Sequence, residues 1–308
     1  MRLLLLVNTS ASSVTPRGRV VIQKALSADH DVHVVETSRR GHAMRLALGA
    51  AADGVEVVVA LGGDGTLNEA ANGLAGSPSA LAVLPGGSTN VFARSIGFHN
   101  DPIEATGQLL AALSRPGSIR PVGLASLNGR YFLCNAGVGF DAAVIARVER
   151  RGGLKRWAGN ALFVSTAFST WLRGYDRSHP RLAVEFPDGS RVADGYLALA
   201  QNTDPYTYLG TRPLRVSPDA SLDRGLALAT FRTLAALPFL RVTASALGYG
   251  RPVAAHRAVD LRADLTRFII RALSGTLPVQ VDGEYLGEVE EAVFVHEPDA
   301  LRLVMPGV

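Results

Sequence analysis

The chain has 308 residues, of which 47% are hydrophobic and 19% charged, with 31 Lys+Arg against 27 Asp+Glu and a formal net charge of +4. Such a composition excludes a disordered or coiled-coil chain and describes one or two compact domains with substantial cores. All the basic residues except Lys24 and Lys155 are arginine, and neither lysine follows a glycine, so a Gly-Lys-Ser/Thr P-loop is excluded.

Genome composition explains the arginine excess more simply than nucleic-acid binding does. A basic balance still suits anionic substrates or an anionic membrane. Cys134 is the single cysteine, which leaves no intrachain disulfide and makes a reducing, cytoplasmic setting the expectation. The apolar start Leu3 to Val7 is shorter than a signal-peptide core and reads as a buried strand. The strongest candidate for a membrane span, Leu226 to Leu240, is interrupted by Arg232 and Pro238.

In chain order, apolar runs and helical stretches alternate through the first third. Strands are expected at Leu3 to Val7, Val32 to Glu36, Val55 to Ala60 and Ala80 to Leu84. Helices are expected at Arg17 to Ala28, Gly41 to Ala52, Leu67 to Leu74 and Ile103 to Leu113. That alternation predicts a doubly wound parallel sheet, which binds ligands beyond the carboxyl ends of its strands. The loops Asn8 to Ser13, Thr37 to Arg40, Gly62 to Thr66 and Pro85 to Asn90 all fall at those ends.

After Arg115-Pro116-Gly117 the texture becomes β-like. The pairs Asn128-Gly129, Asp188-Gly189, Asp194-Gly195 and Asp282-Gly283 each signal a hairpin. One helical stretch, between Ala142 and Arg173, interrupts this β-rich part. The fold class is therefore α/β plus β.

The strongest chemical signal is Gly62-Gly63-Asp64-Gly65-Thr66-Leu67-Asn68-Glu69, in which a buried strand runs through three glycines and a carboxylate into a helix. Glycines let backbone N–H groups approach phosphate, the helix start adds partial positive charge, and Asp64 can reach a Mg²⁺ shared with the phosphates. Asp64 is expected to face solvent, so that removing it costs little stability. A tight turn in which Asp64 only binds loop amides is the alternative. Pro85-Gly86-Gly87-Ser88-Thr89-Asn90-Val91-Phe92-Ala93-Arg94 repeats the pattern one strand later; by itself it could be a helix start capped by Ser88 or Thr89.

These two segments, with Asn135-Ala136-Gly137-Val138-Gly139-Phe140-Asp141-Ala142 and Asp282-Gly283-Glu284, occur in the order found in the diacylglycerol kinase catalytic-domain family. The chain resembles that family, which includes bacterial lipid kinases and the sphingosine and ceramide kinases, over most of its length. The resemblance implies an α/β nucleotide domain and a β-sandwich domain with an active site in the cleft between them; the change of texture divides these as 1–120 and 121–294, with a terminal segment 295–308 that can return to the first domain. It further implies ATP- and Mg²⁺-dependent phosphorylation of a lipid hydroxyl, foremost diacylglycerol to phosphatidic acid. Such a cytoplasmic protein would sit peripherally on an anionic membrane, and a homodimer is compatible with it.

Carried over by the resemblance, Asn8, Thr37, Gly62, Gly63, Asp64, Gly65, Thr66, Leu67, Asn68 and Ser88 would bind nucleotide, with Asp64 also at the metal. Asp282 would accept the hydroxyl proton, with Glu284 beside it. Several positions depart from the family pattern. The first loop, Asn8 to Ser12, lacks the usual Pro and closing Gly, and Val91 replaces an Asp found in one branch. Arg224 stands where a structural Mg²⁺ would need an Asp before Gly225, so either Asp223 substitutes or that ion is absent, the latter being favoured.

Weaker signals have plainer explanations. Gly137 to Ala142 matches a dinucleotide fingerprint, yet no acid lies near Gly159 to Leu162 to bind a ribose, which disfavours NAD there. His30 and His33 read as solvated residues. Without the resemblance, Val279 to Tyr285 reads as a hairpin whose turn is Asp282-Gly283. The run Arg147 to Trp157, with five basic residues against Glu149, suits an anionic membrane about as well as a solvated helix cap. Two rivals to the lipid kinase stand: a kinase of soluble NAD, which shares the Gly-Gly-Asp-Gly-Thr loop, and an inactive nucleotide- or lipid-binding regulator.

Overall fold

The computed structural model of the protein describes residues 1–150, 165–171 and 175–307. The chain forms two compact units, Met1–Leu124 with Pro298–Val308, and Ala125–Glu297.

In the first unit, β1 (Arg2–Val7), β2 (Asp31–Glu36), β3 (Val57–Gly62) and β4 (Ala80–Pro85) lie parallel in the order β2-β1-β3-β4. The end of the long last strand β18 (Glu291–Val304) joins β4, with Arg302 and Leu303 paired in parallel to Ala80 and Leu81. Every residue of β3 and β4 is buried, as expected of central strands covered on both faces.

The helices are α1 (Pro16–Ser27), α2 (His42–Ala52), α3 (Asp64–Leu74), the short α4 (Val91–Ser95) and α5 (Pro102–Leu113). Local chemistry sets their starts. The Thr15 hydroxyl accepts the Gly18 N–H, Asp101 accepts from Ile103 and Glu104, and a proline occupies the first turn in both cases. Each predicted strand and helix of this unit is present, with ends shifted by one to three residues.

The second unit is a β-sandwich. One sheet is antiparallel in the order β14 (Val259–Leu265), β13 (Leu226–Phe231), β10 (Leu197–Gln201), β7 (Asn135–Gly139), β16 (Leu277–Val281), β17 (Glu284–Val289). Facing it, β18 pairs with β15 (Arg267–Ala272), which pairs with β8 (Leu182–Glu185) and then β9 (Arg191–Gly195). The strand β5 (Ile119–Leu127) also pairs with β18 and forms a hairpin with β6 (Arg130–Phe132), and β11 (Thr207–Leu209) and β12 (Arg212–Leu214) form a separate antiparallel pair.

Phe268, Ile270 and Phe294 from one sheet pack with Val138, Ala198, Leu228 and Val279 from the other in one core. Leu197, Leu199 and Phe231 point the other way, into a second cluster with Phe140 and Val144 of α6 (Phe140–Arg150) and Val242 and Ala246 of α7 (Ala236–Ala246). Strand β10 is thus covered on both faces, which explains why Leu197 to Ala200 are all apolar and do not alternate.

Three of the four expected hairpins form, at Asn128-Gly129, Asp188-Gly189 and Asp282-Gly283. Asp194-Gly195 is instead the end of β9. A Cβ on Gly195 would lie 2.3 Å from Leu182 Cδ1, so this glycine serves strand packing and not a turn. The helical stretch expected from Ala142 to Arg173 begins as α6, and residues 165–171 are again helical; residues 151–164 and 172–173 of it lie outside the described part. Among the described residues no helix is long and apolar enough to cross a membrane; Leu226 to Leu240 divides between β13 and α7.

Candidate active site

In the first unit the chain leaves β1 for β2 on one side, while β3 lies on the other. The loops after β1 and β3 therefore diverge at a topological switch point, where open α/β sheets bind ligands. The Asn8 side chain spans this point, donating from Nδ2 to Thr66 Oγ1 at 2.8 Å and accepting the Ser10 N–H on Oδ1 at 3.0 Å. Thr37 follows β2 directly, its N–H donating to the Val7 carbonyl at 2.9 Å. Asn8, Thr37 and Thr66 are thus gathered at the carboxyl ends of three adjacent strands.

The two glycine-rich loops lie backbone against backbone. The Gly86 N–H donates to the Gly62 carbonyl at 2.7 Å. A Cβ on Gly86 would come within 2.8 Å of Gly62 Cα, and one on Gly87 within 2.8 Å of Gly63 Cα. A Cβ on Gly62 would meet the Thr66 side chain at 2.7 Å. Several of these glycines thus permit loop-to-loop contact. Gly65 differs: it is exposed, its φ is not positive, and nothing lies within 4 Å of an added Cβ. Open space beside Gly65 in the first turn of an eleven-residue helix, where the helix carries partial positive charge, suits an incoming phosphate.

Asp64 ties the loops together. Its Oδ2 accepts the Val91 N–H and its Oδ1 the Phe92 N–H, each at 3.0 Å. Burial pushes its carboxyl above the ordinary value, while the Phe92 and Val91 amides pull it back down. The expectation of a solvent-facing Asp64 that folding does not need is corrected: the side chain is half-buried and holds the start of α4. Backbone amides use only part of the carboxylate's accepting capacity, so it can still reach a cation. Leu67 and Asn68 are buried in α3, whereas Ser88 is exposed at the tip of the second loop. The donor set fits a nucleotide triphosphate with Mg²⁺: open backbone at Gly65, a hydroxyl at Ser88 and a carboxylate at Asp64.

Two supporting residues were not singled out from the sequence. Glu69 accepts from the Gly41 N–H at 2.7 Å and the Ala43 N–H at 3.0 Å, fastening the start of α2 to α3. Asn90, in the left-handed region at φ 50°, accepts the Gly87 N–H and donates to the Gly87 carbonyl and to Asn100. Its place in the loop was visible; its left-handed backbone, which asparagine tolerates, is the signal that could have marked it.

In the second unit, Asp282 and Gly283 both have positive φ, 46° and 78°, and make the two-residue turn between β16 and β17. Asp282 also reaches across to the segment entering β7. Its Oδ2 accepts the Leu133 N–H at 2.8 Å, and its Oδ1 accepts those of Cys134 at 2.8 Å and Asn135 at 3.0 Å. Glu284, half-buried, pairs with Arg130 at 3.0 Å.

Behind the turn lies a buried polar network. Gln280 accepts the Gly283 N–H on Oε1 and donates from Nε2 to Asn135 and to Asp141. The Tyr206 hydroxyl donates to the other oxygen of Asp141. Burial raises the Asp141 carboxyl, opposed by the Tyr206 and Gln280 bonds; burial first and Asp141 second hold the Tyr206 phenol well above its ordinary value. Gly137 has a packing reason here, since a Cβ would lie 1.9 Å from Asp141 Oδ2.

Asp223 and Arg224 are both exposed, and Gly225 donates its N–H to Asp264. Among the described residues no three His, Cys, Asp or Glu side chains cluster as a metal site. Most of the basic run Arg147 to Trp157 lies outside the described residues.

A doubly wound nucleotide-type unit with paired glycine loops, followed by a β-sandwich unit, defines a class. Residues 2–122 match the diacylglycerol kinase catalytic domain. The chain is 30% identical over 311 residues to the "Probable lipid kinase YegS-like" of Pseudomonas aeruginosa (strain UCBPP-PA14), covering 99% of this chain and 94% of that one. It is 28% identical over 292 residues to the diacylglycerol kinase of Bacillus subtilis (strain 168), covering 93% and 89%. The chain belongs to the diacylglycerol kinase catalytic-domain family of lipid kinases.

Among solved structures, a diacylglycerol kinase from Bacillus anthracis str. Sterne superposes with a TM-score of 0.72 at 20% identity, covering 99% of this chain and 96% of that one. Yeast NADH kinase complexed with NADH gives 0.51 at 10% identity, covering 98% and 82%. At these identities both likenesses speak to fold alone.

Proposed function

We propose that the protein transfers the γ-phosphate of ATP to a lipid hydroxyl, with diacylglycerol as the acceptor and phosphatidic acid as the product. The observation that carries this reading is the Asp64 bridge between two glycine loops at the switch point of a parallel sheet. Phosphoryl transfer asks mainly for positioning and charge neutralisation. The acceptor oxygen attacks the γ-phosphorus, the bond to the β–γ bridging oxygen breaks, ADP leaves, and the hydroxyl proton passes to a base. Bound Mg²⁺, reached by Asp64, would neutralise charge on the phosphate oxygens. Gly65 and the start of α3 would cradle phosphate, and Asn8 and Thr66 would hold the loop mouth in shape.

The acceptor-side carboxylates are Asp282 and Glu284. Asp282→Asn and Glu284→Gln separate their duties. The residue that takes the proton should lose about 10² to 10⁴ in turnover when neutralised. Because Asn at 282 would set an amide N–H against a backbone donor, its stability is measured beside its rate. Incubation with γ-labelled ATP and a lipid panel, with NAD as a second acceptor, tests the function directly. Label in phosphatidic acid is expected. Label in NADP alone would establish the soluble-nucleotide reading, and label in neither would favour the inactive regulator.

A further inference from the structure

Helix α7 (ALPFLRVTASA) is apolar on both sides. Its inner face, Val242 and Ala246 with the half-buried Phe239, packs into the second cluster. The outward face of a helix whose inner face packs on a core is normally polar. Here Leu237 is 58% and Leu240 62% exposed, with Arg241 exposed one residue further on. At 100° per residue these three fall on one side of the helix, opposite Val242 and Ala246.

A further exposed aromatic side chain is joined to the segment that precedes the helix. Trp171 donates from Nε1 to the Leu234 carbonyl, just before α7, at 2.9 Å. Phe168, 60% exposed, stacks on Trp171, and the Arg177 guanidinium lies over the same ring at 4.2 Å. Three large apolar side chains thus stand in water beside basic ones, the composition of a surface that enters the interfacial layer of a bilayer.

Charge selects the occupant. From Gly225 to Val259 there are four arginines and no Asp or Glu. Arg232 turns to Asp194, whereas Arg241, Arg251 and Arg257 are exposed. We propose that the outer face of α7, with Phe168, docks on an anionic phospholipid membrane, Leu237 and Leu240 entering the headgroup boundary and Arg241 meeting lipid phosphates. The surface deepens the lipid-kinase reading and rests on it for its purpose, since the acceptor lipid resides in a bilayer.

Docking is read without ATP, by sedimentation of the full chain with vesicles of phosphatidylglycerol and phosphatidylcholine or of phosphatidylcholine alone. The wild type should partition to the anionic vesicles and release as salt rises. Leu237→Ser with Leu240→Ser should lower that partition at least tenfold while leaving the melting temperature nearly unchanged, and Arg241→Glu should weaken it and flatten its salt dependence. Leu240→Trp should shift its emission to the blue on anionic vesicles. Unchanged partition of the double variant overturns the proposal. So does binding lost only on reversing the basic charges of 147–157, or a dimer in solution that the double variant dissociates while vesicles go unbound.

Turnover on a water-soluble short-chain diacylglycerol keeps the two readings apart. The double variant should match the wild type on that substrate and fall behind on vesicle-embedded lipid. If the wild type phosphorylates neither, the kinase reading fails while the vesicle result stands on its own.

Discussion

At the scale of single side chains, Asp64 accepts the Val91 and Phe92 N–H groups, so its removal strikes folding and chemistry together. Asp64→Ala should cost about 1–3 kcal/mol, the usual penalty for stranding buried donors, and should abolish phosphoryl transfer. Turnover measured well below the lowered melting temperature separates the two losses; full turnover there would remove Asp64 from the reaction. The glycines divide in the same way. Gly86→Ala drives a Cβ to 2.8 Å from backbone and should destabilise by about 1–3 kcal/mol. Gly65→Ala meets nothing within 4 Å, so its melting temperature should hold while ATP binding weakens. Equal ATP affinity for Gly65→Ala and wild type in a calorimetric titration would show that phosphate does not approach there.

At the scale of elements, the β16–β17 hairpin is held from both sides. Asp282 grips the entry to β7, and Gln280 links the turn to Asp141 and, through it, to Tyr206. Tyr206→Phe deletes the hydroxyl that stabilises the Asp141 carboxylate and should cost about 1–3 kcal/mol. The sign of its pH dependence follows from Asp141, whose folded value is already raised by burial above the ordinary carboxylate value. A raised carboxyl binds its proton more tightly when folded, so its stability contribution falls as pH climbs from 3.8 toward the folded value. Loss of the Tyr206 bond raises that folded value further. The deficit of Tyr206→Phe should therefore be smallest in acid and widen with pH, as urea unfolding across a pH series would show. A pH-independent deficit would place the hydroxyl's contribution elsewhere.

At the scale of the whole molecule, the last residues complete the first unit's sheet: Leu301, Leu303 and Val304 are buried, and Arg302 and Leu303 pair with β4. Each such side chain contributes about 1.5–3 kcal/mol, and a domain's net stability is only about 5–15 kcal/mol. A chain ending at Glu297 should lose soluble yield or melt far lower; an unchanged melting curve would show that β4 tolerates an open edge. The chain alone carries the strand and helix order of this unit, because apolar runs, Pro-led helix starts and glycine loops are local signals. It also determined family membership, because four motifs recur in order. Tertiary structure decided what those residues touch. Gly86 serves the backbone of Gly62, Asp64 the start of α4, Asp282 three amides of a distant segment and Gly195 the side chain of Leu182. Contacts between residues far apart in the chain leave no periodicity or spacing to be read, so a glycine or a carboxylate looks alike whether it meets a ligand or another strand.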